Sequence, residues 1–171
     1  MRYRQDKRND EDFSKDIKNC TSIERKLMEL YVANLNKQKR CNYYTFEDSG
    51  VDNSGDLIKE DKNVNTNADF ILHNLAKNTS YKIEIKFSRK NVEKFHLKTG
   101  QLLSYIEQNC CIIMFMDIYG ENRYTIVKPS DMKDIIDHCQ SVYLWGKKQK
   151  QILTEDCRWY KVPNISQKIY P

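Results

Sequence analysis

Residues 68 to 87 constrain the fold of this chain more tightly than any other stretch. Tyr81, Ile83, Ile85 and Phe87 alternate with Lys82, Glu84 and Lys86. That period of two marks a β-strand with one apolar face and one charged face. Ahead of it, Ala68-Asp69-Phe70-Ile71-Leu72 is a shorter apolar run broken by a single acid, and the turn-forming residues Asn78-Thr79-Ser80 lie between. The two strands are expected to pair as a hairpin. Pairing brings Asp69, Glu84 and Lys86 to one side. Two carboxylates and an amine in close company suit a hard divalent cation and the activation of a water molecule.

Around this hairpin the periodicity alternates between helix and strand. Ile23, Leu27, Leu30, Tyr31 and Leu35 recur at spacings of three and four, which predicts a helix beginning near Thr21 with one stripe on the core. The basic run Lys37 to Arg40 suits its C-terminal end. Residues 41–46 read as a strand. A long polar loop, residues 47–67, then leads to Asp69, and loops of that length are functional or disordered. Downstream, a helix is expected over 97–109, an apolar strand over 110–118 and a strand over 123–127. A helix over 129–138 is expected to be capped by Ser130, with Asp131 in its first turn. Strands at 142–145, 151–154 and 158–162 complete the series, with a basic turn at 146–150. The order predicts an α/β fold, a central mixed sheet flanked by helices.

At 171 residues one domain with a sizeable core is expected. Residues 1–19 read as a charged arm or frayed leading helix, 20–128 as the core, and 129–171 as an extension of the same domain. The 29 basic and 24 acidic residues leave a net charge of +5, which permits a polyanionic partner without requiring one. Arg2, Arg4, Lys7 and Arg8 suit phosphate contacts or a solvated tail alike. Likewise, the basic residues around Trp145, Trp159 and Tyr160 suit a phosphate-binding groove or an ordinary solvated hairpin. Residues 1–18 lack the apolar segment of a secretory leader, and the run 110–116 is too short to cross a bilayer. A cytoplasmic or otherwise intracellular protein without membrane contact is expected. The six cysteines include no C-x-x-C pair, so reduced, mostly buried thiols are expected. His73, His96 and His138 show no partner pattern and are read as structural.

Hydrolysis of a phosphodiester requires charge neutralisation, an activated water and a proton for the leaving oxygen. Asp69 followed by Glu84-Ile85-Lys86 meets those needs, with the Ile85 carbonyl a further oxygen ligand. Asn67-Ala68-Asp69-Phe70 and Ile83-Glu84-Ile85-Lys86 resemble the PD-(D/E)xK nuclease superfamily, whose members share a restriction-endonuclease-like core. The resemblance implies Asp69 and Glu84 as metal ligands for Mg²⁺ (or Mn²⁺) and Lys86 as the residue acting on water. It extends over residues 20–128. Glu24 stands where many members, including Holliday-junction resolvases, carry a first-helix glutamate. Gln101-x-x-x-Tyr105 is similar to a helix of the exonuclease and helicase-associated branches. Ala68 departs from the motif's proline, a residue that shapes the strand and does no chemistry.

The implied activity is a Mg²⁺-dependent DNA endonuclease of restriction, homing or junction-resolving type. It is expected to act as a homodimer on double-stranded or branched DNA, with the 48–67 loop and the C-terminal segment reading the target. Three other readings stand beside it. The first is an exonuclease of the same superfamily, and the second a silent nucleic-acid-binding protein with this fold. In the third, Lys82, Glu84 and Lys86 are a solvated strand face or a protein-binding surface. Glu24 has two readings as well, since Thr21-x-x-Glu24 also fits a helix-capping box.

Overall fold

The computed structural model describes residues 10–49 and 68–165. The basic side chains of the N-terminal arm, most of the loop before Asp69 and the last six residues lie outside them. The chain runs α1 (Asp10–Lys39), β1 (Tyr44–Asp48), β2 (Phe70–Asn74), β3 (Thr79–Phe87), β4 (Lys94–Lys98) and α2 (Thr99–Glu107). It continues through β5 (Cys110–Met116), β6 (Arg123–Val127), α3 (Pro129–His138), β7 (Ser141–Leu144), β8 (Lys147–Leu153) and β9 (Tyr160–Lys161). The predicted hairpin is β2–β3, antiparallel with Phe70 opposite Ile83 and Leu72 opposite Tyr81.

A six-stranded mixed sheet, ordered β1-β2-β3-β5-β6-β9, forms the centre. Only β3 and β5 run parallel in it, and parallel neighbours require a crossover, which β4 and α2 provide. The unbroken apolar run of β5 is explained by cover on both faces. Ile113 and Phe115 join Ile23, Leu27 and Met28 of α1 in one cluster. Ile112, Met114 and Met116 join Leu102, Tyr105 and Met132 of α2 and α3 in another. Each such side chain taken fully from water contributes ~1.5–3 kcal/mol. A smaller antiparallel sheet, β4-β8-β7, closes the second cluster with Phe95, Leu97 and Ile152. Among the described residues no helix is long and apolar enough to cross a membrane, and the six cysteines are free.

Several local expectations are corrected. The first helix is already formed at Asp10, the first described residue, rather than beginning near Thr21, so Thr21 and Glu24 sit in a continuous helix and form no capping box. The first strand begins at Tyr44 rather than 41. The Asn36 side chain brackets that start, accepting from the Tyr44 N–H at 3.0 Å and donating to the Tyr44 carbonyl at 2.9 Å. Residues 94–98 are a strand, so the second helix starts at Thr99 rather than Leu97. Lys128 rather than Ser130 caps α3, because Pro129 fits the first helical position. The Asp131 carboxylate accepts the Lys128 N–H at 2.8 Å. The basic stretch 147–150 is strand as well, with the turn confined to Trp145 and Gly146.

Candidate active site

Strand β2 starts immediately after Asp69, and extending its register would set Asp69 opposite Glu84. Instead of a further rung, the Asp69 Oδ2 accepts the Ile85 N–H at 2.9 Å. A strand residue's N–H and C=O leave the backbone on the same side. The Ile85 carbonyl therefore points toward Asp69 too, while its side chain is buried in the α1 cluster. Alternation turns Glu84 and Lys86 away from that cluster, and Glu84 meets Tyr105 of α2. Glu84 is only 4 % exposed, which removes the reading of this strand as a solvated charged face at that position. The Lys86 ammonium donates to Glu84 Oε1.

Asp69, Glu84 and Glu24 act on one another electrostatically, and the shifts of Asp69 and Glu24 show it. Burial pushes Asp69 up to about 7, with Glu84 repulsion adding to it and Lys86 and the Ile85 N–H opposing it. Burial likewise pushes Glu24 up to about 8, and the nearby Asp69 charge adds to the shift. Lys86 lies close enough to Glu24 to oppose that rise. Burial works against the Lys86 ammonium itself, but Glu84, Asp69 and Glu24 together hold its pKa above the ordinary range. Glu24 thus reaches the site from α1. With its role as a cap removed, the site is what accounts for a half-buried acid on this helix.

The α2 side supplies a residue that the sequence signalled only in part. Tyr105, buried at 4 % exposure, is hydrogen-bonded to the Glu84 side chain, and burial together with that charge raises its phenol strongly. It therefore remains a proton donor to Glu84. Gln101 lies one turn earlier on the same helix face but makes no bond to the carboxylates among the described residues. Of the Gln101-x-x-x-Tyr105 pair, the tyrosine is the one that touches the site. Cys110 also sits beside Glu84, and burial pushes its thiol up to about 12, so it stays protonated and is no nucleophile. Tyr105→Phe is expected to cost ~1–3 kcal/mol, because Glu84 loses a donor while remaining buried; urea unfolding of the two proteins measures it.

A cleft of ≈ 670 Å³ borders this cluster through Glu24 and Lys86. Asp16, Cys20 and Glu24, four residues apart on α1, line one wall; Lys86, Arg89 and Lys90 are on the other. His73 and His138 lie apart from it, bonded to the Ser80 hydroxyl at 2.8 Å and the Asp134 carbonyl at 3.1 Å. Among the described residues no three His, Cys, Asp or Glu side chains are gathered closely enough to cage a metal ion as they stand. Mg²⁺ does not require such a cage, since it keeps several waters and takes one or two carboxylates. Asp69, Glu84 and the Ile85 carbonyl are an all-oxygen set of that kind. The mutual repulsion of the acids is what a cation would relieve, and Lys86 carries part of that role. No family model, curated protein or solved structure matches this chain.

Proposed function

We propose that this chain is a metal-dependent nuclease with a restriction-endonuclease-like core that cuts DNA phosphodiester bonds internally. The observation that carries the reading is the meeting of Asp69, Glu84 and Lys86 where β2 begins beside β3, with Asp69 on the Ile85 N–H and Lys86 on Glu84. The element order supports it too, with α1 ahead of the three-stranded antiparallel unit and α2 following it.

Asp69, Glu84 and the Ile85 carbonyl would hold Mg²⁺ or Mn²⁺. Such an ion supplies Lewis acidity at a phosphate oxygen and lowers the pKa of a bound water. The chain's own residues do the rest. Lys86, which lines the cleft with its ammonium on Glu84, would orient the attacking water or neutralise developing charge on the phosphate. Tyr105 fixes the Glu84 carboxylate through its hydroxyl. Glu24, with a pKa near 8, exchanges a proton near neutral pH at the cleft wall, as a general acid or base does. Cutting both strands of a duplex calls for a second copy of the site, hence a homodimer. Gln101, on the same helix face, is left a peripheral part.

Incubation with supercoiled plasmid, branched DNA and RNA, each in Mg²⁺, Mn²⁺ or chelator, tests the reading. Nicked and linear plasmid are expected only in the presence of metal. Release of mononucleotides from ends, with circular plasmid intact, would move the assignment to an exonuclease. Binding without hydrolysis in either metal would leave a silent nucleic-acid-binding protein.

A further inference from the structure

The small sheet β4-β8-β7 has a face the proposed chemistry does not use. Directly opposed residues of antiparallel strands share a face. The register therefore sets Lys94, His96 and Lys98 of β4 opposite Leu153, Gln151 and Gln149 of β8, and Lys147 and Gln149 of β8 opposite Leu144 and Val142 of β7. Phe95, Leu97 and Ile152 occupy the other face, packed in the core. The first face has no acidic residue, and Lys94, His96, Lys98 and Lys147 are all exposed around a buried Gln149.

The turn joining β7 to β8 adds a second, independent observation. Trp145 has φ +51 and Gly146 φ +71, the left-handed pair of a two-residue hairpin turn, where Asn-Gly or Gly-Gly is favoured. A bulky side chain at such a position is strained, of order ~1–3 kcal/mol. Trp145 gains no packing to offset this, being 75 % exposed. An indole held out on a tight turn that leads into Lys147 and Lys148 suits a stacking platform for bases. The turn lies at the Lys98 end of the small sheet. Lys98, the last residue of β4, pairs with Gln149, and β8 extends past it through Lys148 and Lys147 to the turn.

We propose that this sheet face and the Trp145 turn are the docking surface for an unpaired DNA strand leading into the Asp69–Glu84–Lys86 site. The inference rests on the nuclease reading and narrows its substrate to DNA with a single-stranded segment beside the cut, as in a flap or fork. Lysines neutralise phosphates of any DNA, but an exposed indole finds a base face only where bases are not already stacked in a duplex. Lys98 feels the charges of both Lys147 and Lys86, which add to burial in holding its ammonium below the ordinary range.

The test is fluorescence anisotropy in chelator, which separates binding from cleavage. Labelled oligo-dT and a duplex of equal length, about 20 nucleotides, are titrated with wild type and with Trp145→Asn. Asparagine is at home in the left-handed turn, so this variant keeps the fold. Wild type is expected to prefer the single strand, and Trp145→Asn to weaken that binding by about 10-fold while changing duplex binding little. Trp145→Phe, which retains a stacking face, restores most of it. Replacing Lys98 and Lys147 by Gln makes the slope of log Kd against log salt shallower by about 0.7 per lysine. Equal binding of single strand and duplex, or an unchanged affinity in Trp145→Asn, overturns the proposal. If metal-dependent cleavage persists in that case, the nuclease reading survives. Trp145-dependent binding with no cleavage in any metal is the opposite failure, and it leaves the docking surface standing.

Discussion

Asp69→Asn is expected to lower metal-dependent DNA hydrolysis by on the order of 10³-fold or more while making the metal-free protein more stable. The opposed signs follow from one contact set. Asparagine keeps a side-chain oxygen for the Ile85 N–H that Asp69 Oδ2 accepts at 2.9 Å, so the local backbone stays in place. What is lost is the negative charge. That charge is disfavoured in the metal-free fold, since burial and the Glu84 carboxylate raise Asp69 to about 7, and its own presence helps raise Glu24. Removing it at pH 8 should stabilise the apo protein by on the order of 1 kcal/mol. Initial rates of plasmid nicking and urea midpoints in chelator measure the two effects. Undiminished nicking would remove Asp69 from the chemistry. A loss of activity accompanied by a loss of stability would make it a structural residue.

The hairpin and its three chemical groups were legible because the information is local. Period two from Tyr81 to Phe87 sets strand and face, and an acid within an apolar run marks Asp69 as needing a partner. The strand β5 was legible for a similar reason, its unbroken apolar run implying cover on both faces. What could not be read is what tertiary pairing decides. The pattern Thr21-x-x-Glu24 is the same whether a helix starts there or passes through, and only the extension of α1 back to Asp10 separates cap from site. Lys147 to Lys150 look like a solvated turn, yet β8 is hydrogen-bonded on both sides by β4 and β7. Its Lys150 is buried with the ammonium on the Cys139 carbonyl at 2.9 Å. In Lys94-Phe95-His96-Leu97-Lys98 the alternation was present, but Leu97 also extends the apolar surface of the following helix, and that longer pattern obscured the strand. Tyr105 was visible as a face-mate of Gln101. Its bond to Glu84 depends on how α2 is seated against β5 and the small sheet, which no spacing encodes.

Metal-free stability is expected to fall as pH rises from about 5 to 8, and Glu24→Gln is expected to flatten that fall. Glu24 titrates at about 8 in the fold against an ordinary 4.5, and Asp69 at about 7 against 3.8. Across that window the folded chain holds more protons than the unfolded chain, so unfolding releases them and rising pH favours the unfolded state. Each such proton contributes a slope of up to about 1.4 kcal/mol per pH unit. Lys86 contributes in the same direction only above its ordinary 10.5, outside the range. The Glu24 carboxylate faces Asp69, Lys86 and Glu84; glutamine removes one titrating proton and leaves the other charges in place. A cation bound only by the folded state stabilises it by mass action and competes with these protons. Mg²⁺ should therefore raise the urea midpoint clearly at pH 8 and hardly at pH 5.5 in the wild-type protein. The same pH series in chelator and in Mg²⁺, run on wild type and Glu24→Gln, measures both effects. A flat metal-free profile would mean that the three acids are not gathered as described. A Mg²⁺ effect as large at pH 5.5 as at pH 8 would place the ion elsewhere on the protein.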